Sequence, residues 1–256
     1  MVDAGRLRLA CPSPLSTDAF ARGIAMFQVV AHGNKYGATF AASPEGFVMS
    51  LEKDIQTECR AYLKRKVEAI DQGHGATHVE IDAVKIHKTV SLAGVAHQIS
   101  LSHDELHLAV AYGSNLALFE VATIINSVGL PCDDMSPECI DSHVWSNGTL
   151  QSSPEPYQTF EGLKVEQIAW RSVAETEELT LAVVTSDKRV VVCRTDGSQD
   201  SVRPAGSAAA VCWSPTGEQF AIGTTEATVD VFGLSTLEHE RTIERPDCCD
   251  EGFEGQ

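Results

Sequence analysis

Cations are scarce in this chain. It carries 19 Lys and Arg against 36 Asp and Glu over 256 residues, a formal net charge of −17. The deficit is uneven: residues 1–125 hold 11 basic and 13 acidic side chains, and residues 126–256 hold 8 and 23. Binding a phosphate backbone draws on clustered Lys and Arg, so direct nucleic-acid binding is not expected. Long apolar runs are missing too. The longest stretch without a charged residue, Thr89–His103, has 15 residues and is broken by polar ones, short of the ~20 that a membrane-spanning helix needs. No continuous apolar core follows Asp3, Arg6 and Arg8, so no secretory signal is expected. The eight cysteines include no C-x-x-C pair. Without secretion they are expected to be reduced thiols, with Cys193 and Cys212, inside apolar runs, acting as small hydrophobes.

Catalytic signatures are absent as well. There is no G-x-x-x-x-G-K-[ST] loop and no G-x-S-x-G elbow. Gly73-His74-Gly75 lacks the third glycine and the preceding strand of a dinucleotide loop, and Ser50-Leu-Glu-Lys53 matches S-x-x-K without its companion motifs. Cys248-Cys249 sit among Asp247, Asp250 and Glu251, whose charges disfavour a thiolate. Two histidine pairs at a spacing of four remain. His74 and His78 lie in a glycine-containing stretch near Asp71, Glu80 and Asp82, and read as a solvated loop. His103 and His107 would share one face of a helix and could hold zinc. The metalloprotease order, however, puts Glu directly after the first His, where Asp104 stands, and the segment reads as a polar turn between strands. Lys64-Arg65-Lys66, the one basic triplet, reads as the solvent face of a helix, or more sharply as a contact to an acidic partner or RNA. No catalytic, cofactor or metal residues are assigned, and partner-binding residues are unknown from sequence.

What is present is a recurring strand–turn–strand unit. Val95–Ser102, Leu106–Ala111 and Leu116–Val121 make one; Val165–Trp170, Leu179–Thr185 and Arg189–Arg194 a second; Ala208–Trp213, Gln219–Gly223 and Thr228–Phe232 a third. Aligning the apolar triplets at Leu108, Leu181 and Phe220 gives offsets of 73 and 39; aligning the next strands at Leu116, Val190 and Thr228 gives 74 and 38. A period of about 40 with three or four strands per unit is the arithmetic of propeller blades. The longer offset contains an insertion at about 126–156, rich in Ser, Pro and acid, which reads as a surface loop. An earlier unit comprises Met26–Ala31, Tyr36–Ala42 and Phe47–Leu51. A helix is expected after it over Glu52–Ile70, with Ile55, Cys59, Leu63, Val67 and Ile70 on one face, packed on the rim or a face of the propeller.

The stretch Ala210-Val-Cys-Trp-Ser-Pro-Thr-Gly-Glu-Gln-Phe-Ala-Ile-Gly223, continuing through Thr228–Phe232 to Pro246, resembles a mid-propeller blade of the cytoplasmic-face FG-repeat nucleoporins. Asn34-Lys35-Tyr36-Gly37 with Gly46-Phe47, and Asp104–Ala111, resemble that family's first and second blades. The resemblance implies an N-terminal seven-bladed propeller that docks the DEAD-box RNA helicase of mRNA export, beside other nucleoporins, at the cytoplasmic face of the nuclear pore complex. The expectation is therefore an all-β chain. Residues 1–246 form a partial β-propeller of about four blades plus the start of a fifth, of an expected seven, and 247–256 form an acidic tail. It is expected to be non-catalytic, with no membrane segment and no cofactor. A generic WD-like scaffold with another protein partner is the alternative, and a metal-dependent hydrolase using His103 and His107 the third reading.

Overall fold

The computed structural model describes residues 29–72, 86–127, 154–172 and 179–244. The chain divides into two compact units, Met1–Gly162 and Leu163–Gln256. In the first unit, one sheet is the meander β1 (Val30–Gly33), β2 (Ala38–Ser43), β3 (Gly46–Leu51) and β4 (Lys88–Ser91), and a second is β5 (Ala96–Leu101), β6 (His107–Tyr112), β7 (Asn115–Glu120) and β8 (Gln158–Glu161). In the second unit, a third sheet is β9 (Val165–Trp170), β10 (Thr180–Thr185), β11 (Val190–Arg194) and β12 (Gln199–Val202). The fourth is β13 (Ala208–Trp213), β14 (Gln219–Thr224), β15 (Val229–Gly233) and β16 (His239–Ile243).

In the second and third sheets the second and third strands are the most apolar because both their faces are covered. All six residues of β10 are buried, and so are five of six in β6; strands buried on both faces read as continuous apolar runs rather than alternating ones. The fourth strands are the opposite. β4, β8 and β12 are four residues long with one buried residue each (Val90, Phe160 and Val202), and β16 is exposed throughout. These short edge strands are the part of each unit that the three-strand sequence pattern omits. The expected start of a fifth blade has no strand among the described residues: His239–Ile243 pairs with β15 and completes the fourth sheet.

Each unit has one core shared by its two sheets. In the first, Phe47 bridges Phe40 and Phe119 edge-on, with ring centroids 6.5 and 5.3 Å apart. In the second, Phe220 packs between Trp213 and Phe232 at 5.2 and 5.6 Å, against Ala182, Val184, Val190 and Val192 of the third sheet. Polar side chains also stitch β9 to β13. The Gln167 amide accepts from the Val211 N–H at 2.9 Å, the Trp213 indole donates to the Ala169 carbonyl at 3.0 Å, and Arg171 Nε donates to the Gly217 carbonyl at 2.7 Å. Gly217 has φ +70°, and a Cβ there would press on Arg171 Nε and the Ser172 carbonyl at 2.8 Å; only glycine takes this turn position without strain.

Two helices leave the first unit at the ends of third strands. α1 (Glu52–Asp71) continues β3 directly, and α2 (Val121–Asn126) follows β7. α2 buries Val121, Ile124 and Ile125. α1 has the extent expected but a different placement: none of its residues is buried, and Leu63, Val67 and Ile70 of the apolar stripe are 56%, 57% and 55% exposed. Its attachment is polar and at its first turn. His87 Nε2 lies 2.6 Å from an Asp54 carboxylate oxygen, and His32 Nε2 lies 3.8 Å from Glu52.

Candidate docking surface

In a four-stranded meander the first and third connections leave from the same end of the sheet. In the first unit that end therefore carries the β1–β2 and β5–β6 turns together with α1 and α2. The two sheets meet there through the Lys35 N–H, which donates to the Glu105 carboxylate at 2.6 Å. A cleft of about 320 Å³ opens beside this bond, lined by Val30–His32 from one sheet and Leu101–His103 and Glu105 from the other.

The β5–β6 turn is built from Ser102. Its hydroxyl donates to Asp104 and accepts from the His107 N–H at 2.9 Å, its carbonyl accepts from the Glu105 N–H at 3.0 Å, and Glu105 takes φ +61°. The β13–β14 turn repeats the design, with Ser214 accepting from the Gln219 N–H at 3.2 Å and from Gly217 at 2.9 Å. Ser102 and Ser214, Glu105 and Gly217, and His107 and Gln219 are thus equivalent positions of two blades.

This geometry settles where the singled-out residues lie. His103 sits in the β5–β6 turn and His107 opens β6, as a turn reading requires. The His107 ring is engaged by Tyr157, whose hydroxyl is 3.1 Å from Nδ1 with the two rings packed edge to face. Among the described residues no group of three His, Cys, Asp or Glu side chains comes together to hold a metal ion. Ser50 lies in β3 and Lys53 in α1. Cys193 is buried in β11, its thiol pushed up to about 12 by burial, and Cys212 is exposed on β13. His74, His78, Gly73, Gly75, Cys248, Cys249, most of the 126–156 insertion and the 247–256 tail lie outside the described residues.

The basic triplet does not make a patch. At 100° per residue its members point in three directions. Lys64 reaches toward Glu68 at 4.0 Å, Arg65 pairs with Glu58 at 2.6 Å, and Lys66 lies over the Tyr62 ring at 5.8 Å.

Two polar centres carry no sequence signature. Burial holds His107 below its ordinary value, against the pull of Asp104 and Glu120, while burial and the same two carboxylates push Tyr157 well above the usual phenol range. In the second unit Asp230, with its side chain fully buried, accepts from the Ala205 N–H at 2.8 Å and the Thr242 hydroxyl at 2.6 Å, with His239 Nε2 at 3.6 Å. Burial alone would raise this carboxyl; the hydrogen bonds and His239 outweigh it and hold it low.

No protein-family model matches the chain, and no curated protein matches it. Solved structures do. A chain of the mitotic checkpoint complex is similar with a TM-score of 0.50 and 11% identity, over 86% of this chain and 52% of that one. The β-propeller domain of Cps50 (Swd1) from Myceliophteria thermophila is similar with a TM-score of 0.50 and 10% identity, over 85% of this chain and 55% of that one. The chain spans about half the length of these neighbours. At such identity the likeness speaks for the fold alone, and it agrees with four antiparallel sheets of four strands each: the chain is all-β, a partial β-propeller with a helical insertion.

Proposed function

We propose that this chain is a non-catalytic platform that docks proteins through the connections at one end of its first two sheets. The observation that carries the reading is the division of labour in that unit. The strands are packed into one core, whereas the β3–β4 connection is expanded into the exposed helix α1, at the end of the sheets where a polar cleft opens. Propellers characteristically use a rigid sheet scaffold to present such loops. The test is affinity capture with the full chain, followed by reconstitution from purified components. A direct complex lost on Glu105→Lys, which reverses the charge lining the cleft, supports the reading; failure to retain any protein above control at micromolar concentration contradicts it.

The finer reading is a nucleoporin propeller at the cytoplasmic face of the pore that docks the mRNA-export helicase. Its support is the sequence resemblance carried by Trp213-Ser-Pro-x-Gly-x-Gln219, the turn that joins β13 to β14. Binding of the purified helicase to the full chain, and rim staining of the nuclear envelope, are the outcomes it expects. A helicase that ignores the chain while another protein docks would leave the WD-like scaffold in its place.

A further inference from the structure

We infer that α1 is a homotypic contact: two copies of the chain associate reversibly by pairing their α1 helices antiparallel through Cys59, Leu63, Val67 and Ile70. Three of the seven large apolar side chains exposed among the described residues belong to this one stripe, at residues 63, 67 and 70. The helix is held to its sheet by polar pairs at its first turn, so the stripe faces away from the half-buried side that carries Asp54, Glu58, Ala61 and Arg65. An amphipathic helix with its apolar face in water lacks a partner for that face.

The charge pattern selects the partner. The stripe is centred near residue 65. In an antiparallel pair about that centre, Leu63 meets Val67 and Cys59 meets Ile70 of the other copy. On the border of the stripe, at 100° per residue, Arg60 and Asp71 fall within about 20° of one another. Their numbers sum to 131, within one residue of twice the centre, so Arg60 of each copy comes opposite Asp71 of the other. A second copy thus supplies both an apolar stripe and, in Asp71, an acidic group opposite Arg60. Lys66 is the one like-charge approach, and its ammonium is drawn back over Tyr62. An anionic membrane surface would gain nothing from Asp71. A single helix pair sits at or below the ~1,200 Å² of small specific interfaces, so the association is weak and concentration-dependent.

The inference goes beyond the docking reading and does not depend on it. It is tested on the full chain by sedimentation velocity from 5 to 500 µM. The expected result is a rise in weight-average sedimentation coefficient with concentration that Val67→Glu abolishes. Arg60→Glu and Asp71→Arg alone should each weaken it several-fold, and the double variant R60E/D71R should restore it. Residues 60 and 71 are about 16 Å apart along one helix at 1.5 Å per residue, so restoration has no intramolecular explanation. All three substitutions are at exposed positions, and circular dichroism checks that each variant is folded. A monomer at every concentration overturns the inference. So do self-association that survives Val67→Glu, a double variant that stays weak, and a Cys59–Cys59 disulfide between copies, which only a parallel pair would allow.

Discussion

Asp230 is the residue on which the fourth sheet is most exposed to a single substitution. Its carboxylate satisfies a backbone N–H from the β12–β13 connection and a hydroxyl from β16. Hydrogen bonds to a charged group contribute ~1.5–3 kcal/mol, so Asp230→Ala is expected to lower the unfolding free energy of the second unit by about 2–3 kcal/mol in urea titration; a change within experimental error would contradict the assigned role. In the sequence Val229-Asp-Val-Phe looks like an ordinary alternation with the acid facing solvent. The partners at 205 and 242 are 25 and 12 residues away, beyond the reach of any local pattern. His107 offers a second test. Its folded value lies below the ordinary 6.5, so the unfolded chain binds the proton first and stability falls as pH drops through that ordinary value. His107→Gln, which installs the side chain found at the equivalent Gln219, should flatten the dependence of the urea midpoint between pH 7.5 and 5.5. An unchanged slope would remove His107 from the account.

At the scale of elements, the strong signals were apolar runs and the weak ones were edges. β6, β7, β10 and β11 are readable because burial on both faces demands uninterrupted apolar residues. β4, β8, β12 and β16 are not, because a short outer strand with at most one buried residue carries almost no pattern. The length of α1 was legible from its 3.6-residue periodicity, but not the direction of its stripe. A stripe ordinarily marks the side facing the core; here His87 captures Asp54 in the first turn and holds the other side down. Because no residue of α1 is buried, its helicity is separable from the sheets. A proline in a helix interior costs ~3 kcal/mol, so Ala61→Pro should reduce the signal at 222 nm while the cooperative unfolding of the first unit shifts by less than about 1 kcal/mol. A shift of several kcal/mol would show that α1 is integral to the core after all.

For the whole molecule, the blade period was legible from offsets of 39 and 38 residues, and it led to the fold that the solved structures share. The Trp213-Ser-Pro-x-Gly-x-Gln motif shows why function was less legible. Trp213 reaches across to Ala169, Ser214 closes the turn, Gly217 supplies the positive φ, and Gln219 hydrogen-bonds Glu240 at 2.5 Å. Every named residue of the motif except Pro215 has a bond or a backbone conformation that builds a blade, so the motif speaks to architecture before it speaks to any partner. The central claim, four propeller sheets with α1 standing outside the core, is tested most directly by amide hydrogen exchange on the full chain. The account predicts that the middle strands of all four sheets, β2–β3, β6–β7, β10–β11 and β14–β15, exchange slowest and that α1 exchanges orders of magnitude faster. Protection of α1 equal to that of the middle strands, or any one of the four sheets exchanging at the rate of a loop, would contradict it.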